Sequence, residues 1–252
     1  MNGLKRVICA ATIFATTITL AYANDDDDDE DDEIEPYYEL ILMGGIATLD
    51  AENTHVRVTD TQSETLIQNN SGDWDSWTGR VGVGYVYGLT DESMQWFPTL
   101  SPQVNLIYLN GDISGKVYRF NEPNTNPADY DMNLKSTRLM FDLALTAVRI
   151  EALSIYAIGG AGVAWNKVHF DSRRNDDFHL TNKDLETEHS AGFAYEFGGG
   201  LTYSVGHRLA ISAEYLYTGL TDVLLGANEF VEDADFDVNS QAVLVGFRFS
   251  FT

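Results

Sequence analysis

Residues 77–89, Trp77-Thr78-Gly79-Arg80-Val81-Gly82-Val83-Gly84-Tyr85-Val86-Tyr87-Gly88-Leu89, separate into two unlike faces when every second residue is taken. One parity holds Trp77, Gly79, Val81, Val83, Tyr85, Tyr87 and Leu89; the other holds Thr78, Arg80, Gly82, Gly84, Val86 and Gly88. A period of two sustained over a dozen residues belongs to a β-strand. The strand is longer than those of soluble proteins and matches a tilted crossing of a bilayer. A soluble sandwich would turn its large apolar side chains inward and polar ones outward. Here the second face is small with one charge, which suits a narrow lumen, so lipid rather than water is expected to wet the bulky face.

Two further segments repeat the pattern. In 193–205, Phe193, Tyr195, Phe197, Gly199, Leu201, Tyr203 and Val205 alternate with Ala194, Glu196, Gly198, Gly200, Thr202 and Ser204. In 241–251, Val243, Val245, Phe247, Phe249 and Phe251 alternate with Ala242, Leu244, Gly246, Arg248 and Ser250. Five weaker segments complete a set of eight: 37–49, 103–109, 134–146, 155–166 and 209–218. The first of these carries apolar residues on both parities and is not oriented by its pattern.

Long polar connections are expected near 50–76, 110–133, 167–190 and 219–240, and short ones near 90–99, 147–154 and 206–208. Four long and three short connections join eight strands with both chain ends on the short-turn side, the arrangement of bacterial outer-membrane barrels. The fold expected is therefore all-β, an eight-stranded antiparallel transmembrane up-and-down barrel over residues 37–252. Trp77, Tyr87, Tyr108, Trp165, Tyr203 and Tyr217 fall near strand ends, where interfacial girdles lie.

Residues 1–23 read as a cleaved export signal: Lys5 and Arg6, then an uncharged stretch from Val7 to Leu20, then Ala21-Tyr22-Ala23. The single cysteine, Cys9, lies within it, so the mature chain is expected to hold no disulfide or thiol metal site. Residues 24–36 hold ten of the 39 acidic residues and are expected to form a disordered acidic tail. Residues 37–252 keep 29 acidic residues against 13 Lys and Arg, a net −16, which excludes nucleic acid as a partner.

The last strand, Gln241–Thr252, resembles the C-terminal signal of outer-membrane barrels, with Gly246 followed at +3 and +5 by Phe249 and Phe251. It departs from that pattern in ending on Thr252 and in placing Leu244 where a polar residue is preferred. With the export signal and strand count, the chain resembles the small barrels of the OmpA/OmpX-like and opacity-protein-like family. That resemblance implies a bacterial outer-membrane location, insertion by the outer-membrane assembly machinery, and contact with outer-membrane lipids and lipopolysaccharide.

Arg80, Asp142, Glu196, Glu214 and Arg248 fall on the expected inner faces. A charge in a narrow lumen needs a partner. A structural network is expected, with Arg248 bonded to Glu214 or Glu39, and it is weighed above a gated ion path because eight-stranded interiors are filled by side chains. The rival enzymatic reading, a lipid A-modifying barrel, needs His beside Ser and an acid. His189 and Ser190 alternate in parity, and His55, His169, His179 and His207 form no such set. No catalytic residue, cofactor or metal site is expected. In 219–239, Asp222, Glu229, Glu232, Asp233, Asp235 and Asp237 would suit Ca²⁺ or Mg²⁺ by their oxygens. Their spacing fits no EF-hand, and a solvated acidic surface is expected instead. Val223, Leu224, Leu225, Phe230 and Val231 in the same stretch either pack over the barrel mouth or mark a partner patch. The expected function is non-enzymatic, envelope integrity or surface interaction through the long loops. A small porin-like channel is the alternative.

Overall fold

The structure, a computed structural model, describes residues 35–51, 54–59, 62–68, 72–89, 96–119, 128–172, 188–225 and 234–252. The expected export signal, the acidic run 25–33, His179 and Glu229 to Asp233 lie outside the described residues.

Ten strands are present: β1 (Tyr37–Ala51), β2 (Thr54–Thr59), β3 (Gln62–Gln68), β4 (Ser76–Gly88), β5 (Thr99–Arg119), β6 (Ala128–Ile150), β7 (Leu153–Ser172), β8 (Glu188–Ser204), β9 (Leu209–Leu225) and β10 (Ala234–Phe251). Eight of them close a ring in the order β5-β4-β1-β10-β9-β8-β7-β6, sealed by the pairing of β6 with β5. Every pairing is antiparallel, and with the β2–β3 hairpin set aside the ring strands follow the chain except where β1 meets β10. Closure leaves no free ladder in the bilayer, which lipid could not satisfy. The β2–β3 hairpin lies outside the ring and pairs through β3 with Gly115–Arg119 of β5, above the point where β4 ends.

Burial alternates along each ring strand. On β4, Ser76, Thr78, Arg80, Gly82, Gly84 and Val86 face inward and Trp77, Val81, Val83 and Tyr85 outward. The strand that its pattern left unoriented is now fixed: Ile41 and Met43 of β1 are buried in the lumen, and Leu40 and Leu42 face out. The six aromatic residues expected at interfaces all stand on the outward parity, with Trp77 tilted over Tyr108 at 5.0 Å and Phe197 beside Tyr217 at 4.9 Å.

The long polar connections are corrected. Residues 110–119 and 128–133 are strand, paired from Asn110↔Lys135 to Val117↔Ala128. Residues 167–172 continue β7, 219–225 continue β9, 234–240 begin β10, and 50–76 contains the β2–β3 hairpin. The sheet thus runs well past the bilayer, as the paired outer parts of β5, β6 and β7 and of β9 and β10, with β3 laid against β5. Its polarity inverts where it leaves the lipid. On β6, outward Leu139, Phe141 and Leu143 give way to outward Asp129, Asp131 and Lys135, while inward Arg138 and Asp142 give way to inward Tyr130, Met132 and Leu134. Water now wets the outside of the wall, so the hydrophobic effect reverses which face carries the apolar side chains.

The two ends of the acidic stretch 219–239 are strand as well. Val223 is fully buried and Leu220 nearly so, while Asp222 and Asp237 face solvent. Asp222 adopts φ +57° where the register of β9 against β10 shifts between Phe236 and Val238, a bulge that turns Val223 back into the interior.

Candidate functional site

The membrane-embedded interior is a single network of hydrogen bonds and ion pairs to which each of the eight ring strands contributes. Arg80 of β4 reaches across the lumen to β9, where Nη1 donates to Glu214 Oε2 at 2.8 Å. Its Nη2 donates to Asp142 Oδ2 of β6 at 3.0 Å and to Gln103 Oε1 of β5 at 3.3 Å. Glu196 of β8 lies 3.8 Å from Arg80 Nη1 as an ion pair. Arg248 of β10 donates from Nη1 to both oxygens of Glu39 on β1 at 3.1 Å, and from Nη2 to Glu214 Oε1 at 2.7 Å. Tyr156 of β7 donates to Glu214 Oε1 at 2.5 Å, and the Arg248 guanidinium lies 4.8 Å above its ring. Ser101 and Asn105 complete the set, bonding Glu39 at 2.7 Å and Asp142 at 2.6 Å.

Small residues opposite these groups make the space. A Cβ on Gly82 would strike the Asn105 amide, one on Gly84 would lie 2.7 Å from Glu39 Oε1, and one on Gly160 would strike the Asp142 carboxylate. A Cβ on Gly200 would lie 2.5 Å from the Tyr156 hydroxyl. The glycine-rich inner faces are therefore the receptacles of the network.

All five charged residues singled out from the sequence come together here. Gln103, Asn105, Tyr156 and Arg138 were not singled out. Gln103 and Asn105 are neutral, and Tyr156 stands in a Gly/Ala-rich segment whose parity is revealed only by its neighbours. Arg138 lies on the same inner face as Asp142, with Nε and Nη1 buried and without a hydrogen-bond partner among the described residues. Both Glu196 oxygens, Asn166 Oδ1 and Nδ2, Ser136 Oγ and Ser240 Oγ share that condition.

Above this polar layer the interior turns apolar. Leu49, Ile113, Val117, Leu134 and Val238 are buried, and Tyr130 stacks on Phe170 with centroids 5.5 Å apart. Burial pushes the Tyr130 phenol up to about 12. Leu66 of the β2–β3 hairpin joins the same cluster.

His189, exposed, and Ser190 point to opposite faces of β8, and exposed His207 lies in the β8–β9 turn. His169 faces out from β7. The side chains of His55 and Asp171 lie outside the description. Among the described residues no group of three or more His, Cys, Asp or Glu side chains is placed to hold a metal ion. No described helix is long and apolar enough to cross a membrane.

A closed antiparallel ring with a lipid-facing apolar belt, an ionic interior and the start of β1 and end of β10 both on the short-turn side defines a small outer-membrane β-barrel of the bacterial envelope. Residues 135–251 match the family model described as OmpA-like transmembrane domain. No curated protein matches the sequence. Among solved structures, the chain is similar to the outer membrane protease OmpT from Escherichia coli (9% identity, TM-score 0.49, covering 85% of this chain and 97% of that one). It is also similar to the outer membrane protein OprG from Pseudomonas aeruginosa (16% identity, TM-score 0.40, 84% and 95%). A third is Ail, the attachment invasion locus protein of Yersinia pestis (15% identity, TM-score 0.33, 84% and 98%).

Proposed function

We propose that the protein is a non-enzymatic, non-conducting barrel that contributes to envelope integrity and presents its extracellular wall and loops for surface interaction. The observation that carries this reading is the double closure of the lumen: Arg80 spans it from β4 to β6 and β9, and the Tyr130–Phe170 layer lies beyond. An eight-stranded interior filled by side chains leaves no continuous water path. The test is planar-bilayer recording from pure protein. Baseline current is the expected result, and a large, stable conductance overturns the reading.

The small-channel alternative draws on one observation, the unpartnered polar atoms around Arg138, Asn166 and Glu196. It requires the Tyr130–Phe170 layer to open, so the same recording with Phe170→Ala distinguishes a sealed lumen from a gated one. Non-enzymatic action is tested by mass spectrometry of lipid A with and without expression, where an unchanged acyl pattern is expected. Loop-deleted protein that still folds is expected to lose adhesion to host or other surfaces, and unchanged adhesion sinks that part of the reading.

The same proposal takes residues 1–23 as the removed export signal and 24–36 as a periplasmic tail of the 37–252 barrel. It takes Gly246, Phe249 and Phe251 as the signal read by the assembly machinery. Phe251 is half exposed and stacks on Tyr38 at 5.9 Å. Deleting Phe251 and Thr252 is expected to slow assembly in cells while leaving refolding in detergent largely intact.

A further inference from the structure

The buried charges of the lumen do not balance. Among the described residues, the buried charged side chains are Glu39, Asp142, Glu196 and Glu214 against Arg80, Arg138 and Arg248. Four carboxyl groups thus face three guanidinium groups, an excess of one negative charge. A charge left uncompensated in a closed, poorly hydrated interior is costly. One further positive charge is therefore called for.

The hydrogen bonds locate where it goes. Glu214 accepts from Arg80 at 2.8 Å, from Arg248 at 2.7 Å and from Tyr156. Glu39 accepts from Arg248 on both oxygens and from Ser101 on one. Both carboxylates are fully engaged. The other two are not. Asp142 takes Arg80 and Asn105 on Oδ2, while its Oδ1 has no hydrogen-bond partner among the described residues. Neither oxygen of Glu196 has one.

These unengaged oxygens belong to neighbours. Asp142 of β6 and Glu196 of β8 stand in register with the same residue of β7, Gly160. Gly160 has no side chain, and a Cβ there would strike Asp142 Oδ1, so the Asp142 carboxyl lies over the glycine toward β8. The two carboxyl groups are within hydrogen-bonding reach of each other. Two ionised carboxylates so placed repel, and each lacks a donor for the other. The charged and titratable groups around them are Arg80 from β4, Arg138 from β6, Tyr156 from β7 and Glu214 from β9; Glu39 of β1 and Arg248 of β10 lie beyond, bonded to each other. Gln103 and Asn105 face them from β5 and are neutral.

We propose that Asp142 and Glu196 form a proton-binding site, holding one proton between Asp142 Oδ1 and a Glu196 oxygen at neutral pH. The proton comes from water and no bond between heavier atoms changes. It turns the repulsion into a charge-assisted O–H···O bond. The single negative charge left on the pair is balanced by Arg138, and the lumen becomes neutral. This goes beyond the sealed-lumen reading and holds whether or not the lumen conducts.

The test is infrared spectroscopy of the full mature barrel in lipid vesicles at neutral pH, with carbon-13 in the Asp and Glu carboxyls to separate them from lipid esters. The carbonyl band of a protonated carboxyl is expected, shifting on transfer to heavy water. Its absence from the wild-type protein overturns the proposal without any variant. Asp142→Asn and Glu196→Gln each leave three carboxylates against three guanidinium groups, so each is expected to abolish the band while heat-modifiability on gels shows the barrel folded. Asp112→Asn, on an exposed carboxyl, is expected to leave it unchanged. A band that persists in both lumen variants places the proton elsewhere and overturns the assignment. Stability supplies a second readout. Between about pH 6 and pH 8 the unfolded chain has released this proton and the folded barrel keeps it, so the folding equilibrium of the wild type should weaken by about tenfold per pH unit as pH rises. Asp142→Asn should lose that slope; equal slopes in the two proteins overturn the proposal. No band together with a stability that falls when sodium and potassium are replaced by a bulky organic cation would show a metal ion in place of the proton, and would overturn it too.

Discussion

At the scale of single residues, the lumen is governed by the cost of leaving a buried charge alone. Arg80 serves Asp142, Glu214 and Glu196, all fully buried. Arg80→Met should therefore destabilise the barrel by about 3–5 kcal/mol, because it strands carboxylates rather than because the pairs are strongly favourable. Adding Glu214→Gln should recover part of that loss, read as a partial return of the urea midpoint in lipid vesicles. Gly82→Val fills the space of the Asn105 amide and should cost about 1–3 kcal/mol by overpacking. Tyr130 gives a pH signature. Its folded-state phenol titrates near 12, against 10.0 for a free tyrosine. Between these values the unfolded chain loses the proton first, so stability present below pH 10 is lost as pH rises through 12. Tyr130→Phe should remove that part of the alkaline dependence, measured as the difference in urea midpoint between pH 9 and pH 12. The lumen charges were legible in the sequence because each stands on the parity opposite the bulky apolar face of its strand. Gln103, Asn105 and Tyr156 were not, since a neutral polar residue on a small face looks the same whether it is bonded or idle.

At the scale of elements, β6 shows both what the alternation reveals and what it hides. Arg138 to Leu145 has the lipid-facing pattern and is readable as a crossing strand. Asp129 to Lys135 alternates just as strictly with the parity of its apolar residues exchanged, and a search for apolar-out strands passes over it as polar loop. The physical reason lies in the solvent, which changes from lipid to water along one unbroken ladder. The same exchange hid the outer parts of β5, β7 and β10. The two halves should respond oppositely to one kind of substitution. Leu139→Lys places a cation in the lipid belt and should cost about 2–4 kcal/mol near the midplane. Leu134→Ala, inward and fully buried, should cost about 2–5 kcal/mol. Asp131→Ala, outward in water, should change stability by less than about 0.5 kcal/mol. Limited proteolysis of reconstituted protein locates the damage: Leu134→Ala should open the outer ends of β5 and β6 while the lipid-covered part stays protected.

At the scale of the whole molecule, eight strands, one ring and two interior layers act together. Strand count and closure were legible from the even spacing of the alternating segments and the C-terminal Phe249 and Phe251. The orientation of β1 was not, because its apolar residues occupy both parities: Leu40 and Leu42 meet lipid while Ile41 and Met43 meet the lumen. A sheet paired without a free edge through the bilayer should resist detergent at room temperature and shift in gel mobility on boiling, and Arg80→Met should lower the temperature of that shift. The inversion of polarity also fixes depth. The row from Thr137 through Trp165 lies below Lys135 and Lys167, so sliding by one residue pair in either direction would put charge into hydrocarbon or apolar side chains into water.

The paired wall of β5 and β6 carries on beyond Asn110 and Lys135 up to Val117 and Ala128. At about 3.3 Å per residue and a tilt near 40°, that lifts its rim roughly 20 Å above the acyl boundary. The rim is a paired wall standing clear of the bilayer rather than a set of tethers lying on it. A cysteine placed at Lys116 should accordingly react with a membrane-impermeant maleimide on intact bacteria, and one placed at His207 only in cells whose envelope has been breached.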